Sequence, residues 1–75
     1  MSFIINYMNH HLMIHFSHIV EKAHVEIIAE NNQEIEPFTI RNQEFVNFDL
    51  PLEKGNYHIK IVEGSEENIK SIIVN

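Results

Sequence analysis

A chain of 75 residues with 11 acidic and 5 basic side chains, no cysteine and 44% hydrophobic residues makes one domain, residues 1–75, near the lower size limit for a single apolar core. The lack of cysteine excludes disulfides and thiolate zinc sites. A formal net charge of −6 argues against tracking nucleic-acid phosphates or an anionic membrane surface.

Residues 3 to 8 open the chain with Phe3, Ile5 and Tyr7 on one face and Ile4, Asn6 and Met8 on the other, a first strand suited to a sheet edge. Asn9-His10 fits a two-residue turn, because Asn tolerates positive φ. Leu12, Ile14 and Phe16 then alternate with His11, Met13 and His15. Between 9 and 30 two readings stand. Leu12, Phe16, Ile19, Val20, Ala23 and Ile27 recur at helical spacing, which would line His11, His15 and His18 along one side of a helix. The many β-branched residues, and the alternation of Val25, Ile27 and Ala29 with His24, Glu26 and Glu30, favour strand, loop, strand.

Asn31-Asn32-Gln33 reads as a polar turn. A short strand through Ile35, Phe38 and Ile40 follows, its parity broken at Glu36-Pro37, so it is an edge or carries a bulge. Arg41-Asn42-Gln43 predicts another turn. The segment that organises the chain comes next. Val46, Phe48 and Leu50 alternate with polar neighbours up to Pro51; after Gly55, Tyr57, Ile59 and Ile61 alternate with His58 and Lys60. Glu63 to Glu67 forms the last turn, and an Ile-rich strand, 68–74, ends the chain. Seven short strands with regular turn signals predict an all-β, antiparallel β-sandwich.

Leu12-Met13-Ile14-His15-Phe16, Val25-Glu26-Ile27-Ile28-Ala29, Phe48-Asp49-Leu50-Pro51 and Gly55-Asn56-Tyr57 followed by a strand together resemble a family of small immunoglobulin-like β-sandwich modules from secreted Bacteroidota proteins. These are similar to the C-terminal sorting domains of the type nine secretion system. The resemblance covers roughly residues 11 to 75. It implies an immunoglobulin-like sandwich, a secreted or periplasmic location, and a structural corner made by Leu50, Pro51, Gly55 and Tyr57, with the Tyr57 hydroxyl bonding back across the turn. This sequence departs from the family at Asn31-Asn32-Gln33, where an Asp- or Asn-Gly turn is usual. It also has no basic, apolar leader after Met1, as a cytoplasmic protein or a trimmed mature chain would lack one.

No motif for chemistry emerges. The 6 histidines suggest a metal only on a helix: on a strand His11 and His15 are about 13 Å apart, too far to share an ion. Asp49 lies between Phe48 and Leu50, and the glutamates fall at outward or turn positions. Ser2, Ser17, Ser65 and Ser71 sit in no nucleophile elbow. Gly55 and Gly64 alone build no phosphate loop. The expectation is a protein without enzymatic activity or cofactor. It is read as an interaction or accessory module, with no nucleic-acid partner and no membrane insertion, since no apolar run approaches the ~18–20 residues of a spanning helix. It would pair with a protein partner or a second copy through an edge strand. The first strand, uncharged and apolar on both faces, is the nominee for docking unless both its faces are covered. The alternatives are a stand-alone inhibitor or pro-domain-like partner of a secreted hydrolase, presenting Glu63 to Glu67, and a His-rich metal binder.

Overall fold

A computed structural model describes residues 2–75. Among them the chain is all-β and antiparallel, one sheet curled into a half-barrel. Its strands are β1 (Phe3–Met8), β2 (His11–Ala29), β3 (Phe38–Asp49), β4 (Gly55–Glu63) and β5 (Glu66–Val74). β2 is the hub. Its N-terminal part pairs with β1, its C-terminal part with β4, and β3 lies along its other side; β5 pairs with β4.

Five strands replace the seven expected, because two predicted breaks are bends within strands. β2 runs unbroken where a loop or a helix was read between 9 and 30. The stretch from Ser17 to Lys22 sits instead where the β2–β3 register shifts: β2 advances from His15 to Val20 while β3 moves only from Phe45 to Gln43. Such a bulge bends its strand and disturbs parity, so Phe16, Val20 and Ala23 all reach the core. The bend is large. A straight strand of 19 residues would be about 60 Å long, whereas the molecule's longest extent is 31 Å. Likewise Arg41-Asn42-Gln43 is no turn but lies inside β3, with Asn42 kinked at φ 52°. The strand read from Ile35 starts only at Phe38, after Pro37, a position proline tolerates.

Bent over, β2 brings its two halves face to face across one core. Leu12, Ile14 and Phe16 from the first half meet the layer that holds Val25, Ile27, Tyr57, Ile59 and Ile61, all buried. No buried polar side-chain atom among the described residues lacks a partner.

Asn9 and His10 link β1 to β2 at φ 52° and 66°, the double positive φ of a type I′ hairpin turn. Histidine there is held in the left-handed region without glycine's freedom. His10→Gly is therefore expected to stabilise the protein by about 0.5–1 kcal/mol, read as a higher midpoint in urea; an unmoved midpoint would contradict the turn assignment. Gly64, at φ 60°, opens the two-residue turn between Glu63 and Glu66.

Candidate functional site

The segment after β3 is held from two sides by tyrosine hydroxyls. Leu50 donates its N–H to the His10 carbonyl (2.7 Å). Tyr7 donates its hydroxyl to the Leu50 carbonyl (2.7 Å) and accepts the Leu52 N–H (2.9 Å). From the other side Tyr57, fully buried, sets its hydroxyl against the Glu53 carbonyl and Gln33 Oε1 (2.8 Å) and accepts from Asn31 Nδ2 (3.0 Å). Asn31 Nδ2 also donates to the Lys54 carbonyl (3.1 Å). Gln33 reaches the Pro51 carbonyl (3.2 Å) and takes the Glu53 N–H (2.9 Å). Gly55, at φ 154°, lies against Asn31: a Cβ would meet Asn31 Nδ2 at 2.8 Å and force that amide to shift.

Leu50, Pro51, Gly55 and Tyr57 thus come together with three residues that the sequence did not place at this corner, Tyr7, Asn31 and Gln33. An inward Tyr7 with a hydroxyl to satisfy is a signal, but its partners, more than 40 residues away, are not readable from it. The bonds of the two hydroxyls end on main-chain or amide groups, so the arrangement clamps the backbone.

The histidines are dispersed. His11 meets Asn47 (3.0 Å), His15 meets Glu44 (3.5 Å), His18 meets Glu63 (3.1 Å) and His24 meets Thr39 (3.5 Å). No group of three metal-binding side chains forms among the described residues. Two histidines sit in a row with a hydroxyl and a carboxylate. His18 lies between Ser17 Oγ (3.5 Å) and Glu63. His58 has the shorter contacts: its Nε2 lies 2.8 Å from Glu30 Oε2 and its Nδ1 2.9 Å from Ser71 Oγ. That order of hydroxyl, imidazole and carboxylate is the order of a nucleophile, its base and an orienting acid. Ser71 and His58 are cross-strand partners and Ile28, two residues before Glu30, faces His58, a proximity invisible before the register is known.

Main-chain phase decides which edges are open. The Glu30 N–H bonds the Asn56 carbonyl (3.0 Å), so even-numbered residues of β4 face β2 and odd-numbered ones face β5. On β5 it follows that Glu67, Ile69, Ser71 and Ile73 direct their N–H and C=O groups to the unpaired side. Ile69 and Ile73 are 61% and 71% exposed. Beside them Lys60 pairs with Glu67 at 2.9 Å, and the hydrogen bond and charge of Glu67 raise the Lys60 ammonium above its ordinary range.

β1, the nominated docking strand, is half covered. Phe3 is buried and Ile5 and Tyr7 pack on the core, while Ile4 and Met8 are exposed. Its open edge is capped at one point: Lys70 of β5 reaches across the mouth of the half-barrel to donate to the Phe3 carbonyl (2.6 Å), 4.5 Å above the Phe3 ring centroid. Against this geometry, comparison with protein-family models, curated proteins and solved structures finds no match to the chain.

Proposed function

We propose that this chain is a non-catalytic interaction or accessory module of an extracytoplasmic protein, engaging a protein partner or a second copy through an open sheet edge. One observation carries the reading: among the described residues β5 presents unpaired main-chain groups at Ile69, Ser71 and Ile73, and both isoleucines are well exposed. Such an edge is a template for strand addition. Lys70, an inward-pointing lysine of the kind that blunts edges, is tied to Phe3. On the outer face of β5 Glu67 is paired with Lys60 and Ser71 with His58, which leaves Ile69 and Ile73 as its apolar groups.

An immunoglobulin-like assignment belongs to the same proposal. It is supported by two half-sheets facing across one core and by the Leu50-Pro51 and Gly55-Asn56-Tyr57 corner; the secreted or periplasmic location rests on the resemblance to sorting domains. The Ser71–His58–Glu30 row is read as a cross-strand polar ladder. Acyl transfer needs N–H donors converging beside the nucleophile in a site that excludes water, whereas Ser71 and Glu30 are exposed on the outer face and the Ser71 N–H points outward from the open edge.

Light scattering tests the reading. The mass of the unsubstituted chain is expected to rise with concentration towards a dimer, and Ile69→Lys with Ile73→Lys is expected to stay monomeric with an unchanged melting curve. A strict monomer removes self-pairing. Capture of partners from the native secretome that ignores the double substitution removes the β5 edge altogether.

A further inference from the structure

A second opening, separate from β5, lies where β3 leaves β2. Their ladder stops at Val25↔Phe38, yet β2 continues to Ala29. The phase set by the Glu30–Asn56 bond turns the main chain of Val25, Ile27 and Ala29 towards the side that β3 has left. The Ala29 carbonyl accepts the Asn32 N–H (3.3 Å). The N–H and C=O of Ile27 and the N–H of Ala29 have no partner there among the described residues. The cause is the tyrosine clamp. Asn31 and Gln33 are drawn onto residues 51–54, so the chain from 31 to 37 swings away from β2 before β3 begins.

The space left is a shallow, open groove of about 640 Å³. Ile27, Ile28, Ala29, Ile35 and Pro37 supply an apolar lining, and Glu34 and Glu36 stand on the wall opposite β2. Both glutamates are exposed, and neither forms an ion pair among the described residues. Unpaired strand backbone, apolar lining and uncompensated acid on one wall are the three features that recognise an extended, basic peptide.

We propose that this groove binds a short extended peptide carrying lysine or arginine, which adds to the edge of β2 over Glu26–Ala29. Its main chain bonds the Ile27 N–H and C=O and the Ala29 N–H. An apolar side chain covers Ile28 and Ile35, and the basic ones face Glu34 and Glu36. Four residues, about 13 Å of strand, fill the available edge. The site is independent of β5, so each can fail alone.

The test titrates the ¹⁵N-labelled full chain with three capped tetrapeptides: Val-Lys-Val-Lys, Val-Glu-Val-Glu, and Val-Lys-Val-Lys N-methylated at alternate amides. The lysine peptide is expected to shift the amides of Ile27 and Ala29. It should bind roughly three- to tenfold tighter than the glutamate peptide at low salt, as two exposed ion pairs allow. Glu34→Lys with Glu36→Lys should reverse that order, and N-methylation should abolish binding. Shifts confined to β5 overturn the groove and support the other edge. Equal binding of the lysine and glutamate peptides, binding indifferent to N-methylation, or no shift with any peptide overturns the proposal.

Discussion

Phe16→Ala is expected to leave the chain largely unfolded at room temperature. Phe16 is almost fully buried and sits just before the bend of β2, its ring 5.9 Å from that of Phe3 and tilted by 54°. Truncating a buried phenylalanine costs about 3–5 kcal/mol in lost transfer energy and residual cavity. A single core in a domain of this size rarely supplies more than about 3–5 kcal/mol, so the loss is comparable to the whole stability. The site also collapses poorly, because the bend fixes β1 and β3 on either side of it. Phe16→Leu, which keeps most of the apolar volume, should still fold with a lower melting temperature. Circular dichroism during urea titration separates the two variants. If Phe16→Ala melts within a few degrees of the parent, the two halves of β2 do not depend on packing at the bend.

That bend also marks where reading the sequence stops working. Alternation in Tyr57, Ile59 and Ile61 is legible because β4 buries one face and half-exposes the other, and the Asn9-His10 turn is legible because its φ requirement is local. Ser17 to Lys22 and Arg41 to Gln43 mislead for one reason: a break in parity looks the same whether the chain reverses or bends within a strand. Only the partner strand distinguishes the cases. The clamp divides similarly. Gly55 and Tyr57 carry local signals, a backbone needing freedom and an aromatic hydroxyl needing a partner, but Tyr7, Asn31 and Gln33 acquire their roles from contacts more than 15 residues away in sequence. The grooved edge at Ile27 is a consequence of those contacts, so it could not be read before them.

Tyr57→Phe tests the clamp directly, and the expected loss is about 1–2 kcal/mol. Without the hydroxyl, Gln33 keeps the Glu53 N–H and Asn31 keeps the Lys54 carbonyl. The one proton that the Glu53 carbonyl and Gln33 Oε1 compete for is lost, and Asn31 Nδ2 loses an acceptor. Gly55→Ala strikes the same cluster by another route. It places a side chain at φ 154°, where a Cβ would stand 2.8 Å from Asn31 Nδ2, and strain of that kind costs about 1–3 kcal/mol. Because Asn31 is the group displaced, adding Asn31→Ala to Gly55→Ala should cost less than the sum of the two alone, whereas independent sites would add. Urea midpoints at constant slope supply all four corners of that cycle. Strict additivity, or an unchanged midpoint in Tyr57→Phe, would mean the corner is held by the packing of Leu52 and Tyr57 rather than by the hydroxyl. In that event the chain from 31 to 37 would owe its path, and the groove beside β2 its opening, to some other restraint.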